Sequence, residues 1–204
     1  MNQKYIHSDT GYVLLDKKVA ILEAAKELFL LKGFKAINVS DITKKAGVSV
    51  GTFYNYYESK EKLFLEVFIE ENRHAKKLII DKLNMNESPE KITKEYMTRS
   101  FEFNRNNLIL KEWYGNTIAD ELHKYFDVNG KDDVKFVRHL FSDLLGKWKH
   151  DKNIRQDIPT ETLLSIFDML VYLDQHQDDI GTSNFPEAIQ ALGDFIIKGF
   201  TTID

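Results

Sequence analysis

Hydrophobic residues recur at intervals of three and four along nearly the whole chain, which is the spacing of an α-helix with one buried face. Leu22, Ala25 and Phe29 lie on one such face near the N-terminus, and Leu144 and Trp148 lie on another farther along. The alternation typical of strands is nearly absent. The pattern predicts an all-α protein of nine or ten helices with no sheet.

Capping and breaking residues divide this pattern into elements. Gly33 and Gly47 stand where helices are expected to end, and Ser59 can cap a long helix that follows it. Gly115 is a weak boundary, and the pair Asn129-Gly130 indicates a turn. The predicted helices cover residues 15–32, 39–46, 50–56, 60–83, 89–106, 108–117, 118–127, 131–149, 160–177 and 186–200.

Residues 38–57 contain two short predicted helices joined by three residues, the first of which is Gly47. This is the spacing of a helix-turn-helix, in which the second helix can enter the major groove of DNA. Asn38 and Ser49 are suitable N-caps for the two helices. The apolar residues expected to hold the pair against the preceding helix are Ile42, Ala46, Val48 and Phe53. The residues expected to face outward are Val50, Gly51, Thr52, Tyr54 and Tyr56.

A plain packing role would also account for this segment. Two short helices with a glycine between them are common in all-α proteins, and tyrosines often belong to a core. Tyr54, Tyr56 and Tyr57 nevertheless span much of the circumference of a short helix, so they cannot all be buried. On spacing alone, DNA binding and internal packing explain the segment equally well.

Charge is distributed unevenly along the 204 residues. The net charge of −4 argues against nucleic acid binding by the chain as a whole. Residues 1–60, however, carry nine basic and six acidic side chains, for a net charge of +3, whereas the remainder carries 19 basic and 26 acidic side chains, for −7. The asymmetry indicates that the N-terminal end contacts a polyanion, although chance could also produce it.

The segment from Gly47 to Phe64 resembles the signature of the TetR/AcrR family of bacterial transcriptional regulators. The preceding segments 21–29, 32–34 and 38–42 also resemble that family, and the resemblance extends over residues 17–68 without a gap. It implies an all-helical homodimer with a helix-turn-helix DNA-binding domain in residues 15–60. It also implies a ligand-binding and dimerisation domain in residues 61–204.

The resemblance also implies which residues of this chain contact DNA, because they occupy the positions of the family's DNA contacts. Asn38 replaces the usual threonine, Val50 replaces a frequent polar or basic residue, and Tyr56-Tyr57 replaces a common His-Phe. Base preference is therefore open at Val50. The resemblance implies that Phe53 and Tyr57 are buried and hold the recognition helix. The implied DNA contacts are Asn38, Ser40, Lys44, Val50, Gly51, Thr52, Tyr54, Tyr56 and Lys60, although a solvated helix face explains Lys44 nearly as well.

The resemblance also implies partners for the rest of the chain: a palindromic or near-palindromic operator in double-stranded DNA, a small-molecule effector, and a second copy bound through the last two helices. Arg155 and Asp157 are expected to be structural. The aromatic residues that could line an effector pocket, each of which could equally belong to a core, are Phe103, Trp113, Tyr114, Phe141, Trp148 and Tyr172.

Other function classes have little support. The chain has no cysteine, and no apolar stretch approaches the about 18 residues of a membrane helix. Secretory signals, catalytic motifs and phosphate loops are absent, so we expect a cytoplasmic protein without a cofactor. His139 with Asp143, and Glu121 with His123, lack a third convergent ligand, so no metal is expected. The alternatives that remain are an all-α enzyme or small-molecule-binding protein with an aromatic pocket and, less favoured, an oligomeric scaffold.

Overall fold

The computed structural model describes residues 5–8, 11–14, 16–114, 118–129, 131–175, 180–181 and 183–201. Within these ranges the chain is almost entirely helical, as predicted. A 3₁₀-helix occupies Leu110–Tyr114. The α-helices are α1 (Lys17–Lys32), α2 (Val39–Ala46), α3 (Val50–Tyr54), α4 (Lys60–Asp81), α5 (Pro89–Asn106), α6 (Ala119–Asn129), α7 (Lys131–His150), α8 (Thr160–Gln175) and α9 (Phe185–Thr201).

Most predicted boundaries agree with these bounds to within two residues. The predicted helix 108–117 corresponds to the shorter 3₁₀-helix Leu110–Tyr114. Helix α3 ends at Tyr54, two residues before its predicted end at Tyr56. Residues 55–56 form a turn instead, because the N–H groups of Tyr56 and Tyr57 both donate to the Phe53 carbonyl. The boundary at Gly115 and the turn residue Gly130 lie outside the described residues.

The prediction of no sheet was wrong at the N-terminus. Strands β1 (Tyr5–Ser8) and β2 (Gly11–Leu14) pair antiparallel, with Tyr5 opposite Leu14 and Ser8 opposite Gly11. Both strands are rich in aromatic and β-branched residues, which favour extended backbone. Each strand is only four residues long, too short for alternation to stand out in a scan for periodicity.

The chain forms two compact units. The first contains Met1–Asn72 and Arg105–Glu112, and the second contains Arg73–Asn104 and Trp113–Asp204. Helix α4 contributes residues to both. The assignment of DNA binding to residues 15–60 and of ligand binding to residues 61–204 stays a prediction.

An aromatic cluster forms the centre of the first unit. The Phe64 ring meets the rings of Phe29 and Phe34 edge-on, at centroid distances of 5.0 and 4.8 Å. Ile21 from α1 and Ile42 from α2 are fully buried beside it. Because α1, α2 and α4 all contribute to this core, the short helices α2 and α3 have a rigid support.

A larger apolar core fills the second unit. Leu145 and Trp148 of α7, Leu163 of α8 and Phe200 of α9 are buried in it. Arg155 joins the segment before α8 to α9, since its backbone N–H donates to the Phe200 carbonyl at 2.9 Å. Its guanidinium also pairs with Asp157 and donates to the Gly199 carbonyl, as expected for a structural residue.

Candidate nucleic-acid interface

Local hydrogen bonds define the two short helices. The Asn38 side chain accepts from the backbone N–H of Asp41 at 2.9 Å, and the Asp41 carboxylate accepts from the N–H of Asn38 at 3.0 Å. This reciprocal capping box is complete even though aspartate replaces the usual glutamate. Gly47 ends α2 in the left-handed conformation with φ of 68°, and the Ser49 hydroxyl accepts from the N–H of Thr52.

Three side chains anchor the pair of helices to the first unit. Ile42 and Phe53 are fully buried, and Tyr57 is nearly so. The rings of Phe53 and Tyr57 lie 5.9 Å apart, which confirms that these two residues form the buried pair. Burial, followed by the neighbouring Glu66 carboxylate, raises the pKa of Tyr57, so its hydroxyl stays neutral at physiological pH.

The opposite side of α3 faces solvent. Val50 exposes 47% of its surface, Tyr54 exposes 56%, and Tyr56 exposes 44% from the turn that follows the helix. Thr52 is half-buried, and its hydroxyl oxygen lies 2.9 Å from that of Ser49. The predicted outward residues thus share one surface, although Tyr56 belongs to a turn and not to the recognition helix.

Gly51 at the start of α3 has space for a larger side chain. A Cβ atom built on it would have only the Ser49 hydroxyl oxygen nearby, at 3.8 Å, which is an ordinary van der Waals distance. Its backbone is not in the left-handed region that requires glycine. Nothing in the described part of the chain therefore requires glycine at this exposed position.

Lys60, a predicted phosphate contact, is held against the protein by its ammonium group. Its ammonium donates to the carbonyl oxygens of Phe34 at 3.0 Å and Ile37 at 2.8 Å, and it lies 3.9 Å from the centre of the Phe34 ring. Desolvation by burial lowers its pKa. These contacts give Lys60 a structural role, because they turn its charge toward the protein.

The remaining predicted contacts lie on or beside α2. Asn38, Ser40 and Lys44 are all exposed. The adjacent Lys45 forms an ion pair with Glu27 of α1 at 2.6 Å, so it helps to hold α2 in place. The exposed surface that α2 and α3 share therefore carries hydroxyl, amide and ammonium groups, which are the groups that contact DNA phosphates.

Two ion pairs in the first unit were not anticipated from the sequence. Lys18 of α1 donates to Glu66 of α4 at 2.8 Å, and its ammonium lies 5.6 Å from the centre of the Tyr57 ring. Glu71 of α4 is buried and pairs with Lys26 of α1 at 2.9 Å. No spacing rule could have found these pairs, because their members lie on different helices.

The N-terminal region of the chain matches a known protein family. The sequence model of the bacterial regulatory proteins of the tetR family matches residues 21–67, which include α2, α3 and the start of α4. The helix-turn-helix region of the chain is thus of the TetR type. Over 54 residues, 26% of its length, it is 43% identical to YhgD of Bacillus subtilis (strain 168), an uncharacterized HTH-type transcriptional regulator. It spans only 28% of the length of YhgD.

Two longer similarities extend beyond the N-terminal region of the chain. It is 28% identical over 142 residues to the transcriptional regulator QacR of Staphylococcus aureus (strain Mu50 / ATCC 700699), covering 66% of this chain and 74% of QacR. The fold resembles that of RolR solved with the ligand resorcinol, with a TM-score of 0.61, 14% identity and coverage of 88% and 86% of the two chains. The proteins that this chain resembles are transcription regulators and not enzymes.

The six aromatic residues proposed for an effector pocket lie in different surroundings in the structure. Phe141 and Trp148 are buried in the core of the second unit, and Phe103, Trp113 and Tyr114 are half-buried. Tyr172 exposes 59% of its surface, so it does not enclose a cavity in this structure. Their role in ligand binding stays a prediction.

Two other kinds of site are absent from the described ranges. No helix there has the length and apolar character needed to cross a bilayer. Histidine and carboxylate side chains do not come together in groups of three or more that could hold a metal ion within the same ranges.

Proposed function

We propose that this chain is a ligand-responsive transcriptional regulator, a repressor that a small molecule releases from its DNA operator. The observation that carries the proposal is the exposed face of α3. Val50 and Tyr54 project from it, and Thr52 lies between them. The protein itself has room for a larger side chain in place of Gly51. A surface made to fit against another molecule explains all four residues together.

Each outward residue suits a distinct contact with a duplex. Val50 can pack against a thymine methyl group in the major groove, and Thr52 can contact either such a methyl group or a phosphate. The hydroxyls of Tyr54 and Tyr56 can donate to phosphates, which position the protein without specifying sequence. Without a Cβ atom, Gly51 allows the backbone to approach DNA closely.

Asn38, Ser40 and Lys44 complete the proposed surface beside α3. Their exposed side chains can donate to phosphates on either side of the groove. We assign Lys60 a positioning role, in which it holds the turn between α1 and α2. In this proposal Lys60 acts on DNA binding through the position of that turn.

The proposed contact of α3 with DNA can be tested by replacing Gly51. Gly51→Ala adds one methyl group to the exposed side of a helix where the protein has room for it. Because alanine favours helix over glycine by about 1 kcal/mol, the variant should be at least as stable as the wild type. We expect its affinity for DNA to fall about ten-fold, measured by fluorescence anisotropy on a duplex selected by the wild-type protein from a random library.

A matched control is available within the chain. Gly146 lies inside α7, and a Cβ atom built on it has nothing within 4 Å. Gly146→Ala makes the same substitution in the second unit and should leave DNA affinity unchanged. Equal affinity of Gly51→Ala, Gly146→Ala and the wild type would contradict the proposed interface.

The double variant Thr52→Ala with Tyr54→Ala tests the side chains themselves. We expect weaker DNA binding with retained helicity and thermal stability, because Tyr54 is exposed and Thr52 is only half-buried. DNA binding by the wild type should also weaken with added salt, since phosphate contacts release counterions. A variant that loses its fold would mean that these residues belong to the core.

We propose a homodimer formed through the last two helices. Met169 and Tyr172 share an exposed face of α8, and Leu192 and Phe195 share an exposed face of α9. Phe195 alone exposes 71% of its surface, which is unusual for a phenylalanine in a monomer. A second copy could bury both faces in a four-helix bundle around a two-fold axis.

The proposed dimer predicts the symmetry of the operator and the way in which a ligand would control DNA binding. Two recognition helices ~34–36 Å apart would read a palindromic or near-palindromic site from successive major grooves. A ligand that favours a different spacing would lower DNA affinity, and by reciprocity DNA would lower ligand affinity by the same factor. The ligand-bound neighbour RolR supports a small-molecule effector, and a repressor of this kind acts in the cytoplasm.

A further inference from the structure

Helix α3 is too short to keep its position by its own backbone bonds. It has five residues, whereas isolated helices of fewer than about 12 residues are marginal in water. Its place in the first unit therefore depends on the side chains that anchor it. Two of these are aromatic, Phe53 in the helix and Tyr57 shortly after it, and both are buried. A contact that fixes the Tyr57 ring consequently helps to fix α3.

An ion pair between two other helices lies against Tyr57. The Lys18 ammonium of α1 donates to the Glu66 carboxylate of α4 at 2.8 Å and lies 5.6 Å from the centre of the Tyr57 ring. The hydrogen bond to Glu66 is the main cause of a raised pKa at Lys18, so the ammonium is charged at neutral pH. The face of an aromatic ring attracts a cation within about 6 Å. Lys18 thus contacts a carboxylate and a ring at the same time.

Contacts between rings continue from Tyr57 to the exposed side of α3. The rings of Tyr57 and Phe53 lie 5.9 Å apart, and the Phe53 ring meets that of Tyr54 edge-on at 5.3 Å. Phe53 is fully buried, whereas Tyr54 exposes 56% of its surface. A continuous series of side-chain contacts therefore joins the ion pair to a phenol that can donate to a phosphate.

We propose that Lys18 and Glu66 are positioning residues for DNA binding, which hold the Tyr57 ring and thereby set the position of α3. The inference rests on the proposed DNA-binding function and adds to it two residues that act without touching DNA. Glu66 directs the Lys18 ammonium, and the ammonium holds the ring. A small displacement of α3 would weaken binding, because hydrogen bonds lose strength steeply away from their preferred distance and angle.

An ordinary surface ion pair would behave differently. The side chains of Lys18 and Glu66 remain 44% and 35% exposed, and exposed pairs contribute little to stability. The proposal therefore predicts a clear loss of DNA affinity with only a small shift in the midpoint of urea unfolding. A pair that merely stabilised the fold would shift the midpoint and leave the affinity of the folded protein unchanged.

Glu66→Gln separates positioning from charge. The substitution removes one negative charge, which through long-range electrostatics alone would strengthen binding to DNA. We expect binding to weaken about three- to ten-fold instead, because a neutral amide holds the Lys18 ammonium less strongly than a carboxylate does. Affinity is measured by fluorescence anisotropy on a duplex selected by the wild-type protein from a random library.

Glu70→Gln is the matched control for this substitution. Glu70 is an exposed carboxylate one turn farther along α4, so its replacement makes the same change in charge on the same helix. Glu70→Gln should not weaken DNA binding. If Glu66→Gln binds the duplex as tightly as Glu70→Gln, or more tightly, the proposal is wrong.

Substitutions at Lys18 test the other member of the pair. Lys18→Met keeps the apolar stem and removes the charge, and we expect a similar loss of affinity with an unchanged slope of log affinity against log salt concentration. Lys18→Arg keeps the charge and the attraction to the ring, so it should bind DNA like the wild type. A slope that falls by about one in Lys18→Met would make Lys18 a phosphate contact and overturn its positioning role.

Amide hydrogen exchange in the absence of DNA reports on α3 itself. The N–H groups of Tyr56 and Tyr57 donate to the Phe53 carbonyl, so their exchange measures how firmly the end of α3 is held. The N–H of Ile42 donates to a carbonyl within the first turn of α2 and serves as an internal reference. The comparison of the two helices separates a local loosening from a loss of stability in the whole unit.

We expect Glu66→Gln to speed exchange about three-fold or more at Tyr56 and Tyr57 and to leave Ile42 unchanged, whereas Glu70→Gln should change none of the three. Unchanged exchange at both tyrosines would overturn the positioning role even if DNA affinity fell. A wild-type protein that binds no duplex would contradict the proposed regulator, and the exchange rates would still decide whether the ion pair holds α3.

Discussion

The ammonium group of Lys60, at the start of α4, donates a hydrogen bond to the carbonyl oxygen of Ile37 at 2.8 Å. The same group donates to the Phe34 carbonyl and covers the face of the Phe34 ring. One side chain thus holds the turn that leads from α1 into α2. The position of the capping residue Asn38, which follows Ile37 in the chain, depends on this contact.

Lys60→Met should separate a structural role from a phosphate contact. Methionine keeps the apolar stem but removes the donor from two backbone carbonyls, which we expect to cost about 1–3 kcal/mol in the free energy of unfolding. The slope of DNA affinity against salt concentration should stay unchanged, since no phosphate contact is lost. Lys62→Met, an exposed change on the same helix, should preserve stability. If the slope of log DNA affinity against log salt concentration fell by about one, Lys60 would be a phosphate contact after all.

Glu71→Gln should destabilise the first unit. The buried carboxylate accepts from the Asn107 amide at 2.7 Å and pairs with Lys26, so the variant leaves the Lys26 ammonium without its counter-charge. We expect the free energy of unfolding, measured with urea, to fall by about 1–3 kcal/mol. Removing one member of a buried ion pair is costly because it leaves the other charge without a partner. The neighbouring exposed change Glu70→Gln is the control. Equal unfolding midpoints in the two variants would show that the pair is energetically unimportant.

Phe195→Ser should weaken the proposed dimer. Serine removes the largest exposed apolar side chain of α9 and leaves the buried core intact. We expect the dimer dissociation constant from analytical ultracentrifugation to rise about ten-fold or more, as for a central apolar anchor of an interface. Leu31→Ser removes an equally exposed apolar residue from α1 and should leave association unchanged. If both variants associate like the wild type, the last two helices are not the interface.

Tyr96→Phe should make the protein less sensitive to alkali. Burial raises the pKa of Tyr96 to about 12, whereas an unfolded tyrosine ionises near about 10. The folded state therefore keeps the proton longer, and the resulting stability is complete below about pH 10 and is lost between about pH 10 and pH 12. Without the phenol, the free energy of unfolding should fall less steeply with pH over that interval.

The effect of pH on stability has an upper limit, because Tyr96 can release only one proton. The slope of stability against pH should differ from that of the wild type by at most about 1.4 kcal/mol per pH unit. Tyr54→Phe, which removes an exposed phenol, is the comparison variant. Parallel curves for Tyr96→Phe and the wild type between pH 10 and pH 12 would contradict the role given to Tyr96.

The helical elements of the fold could be predicted because their signals are local. Asn38 caps α2 through an atom three residues away, Ser49 does the same for α3, and Gly47 adopts the left-handed conformation that its position requires. The burial of Phe53 and Tyr57 followed from the family resemblance. The length of α3 could not be predicted, because Tyr56 could continue a helix or enter a turn, and only the backbone bonds to Phe53 distinguish the two.

By itself, the sequence determined the all-helical class and the helix-turn-helix, because both depend on periodicity and on bonds between near neighbours. Only the tertiary structure decided that Lys60 faces inward, that Glu71 joins α1 to α4, and that Asp174 meets Tyr114. The partners of these three side chains lie 23 to 60 residues away in the chain. The physical reason is that a polar side chain takes its role from the charge and burial around it, and packing brings those surroundings together from distant parts of the chain.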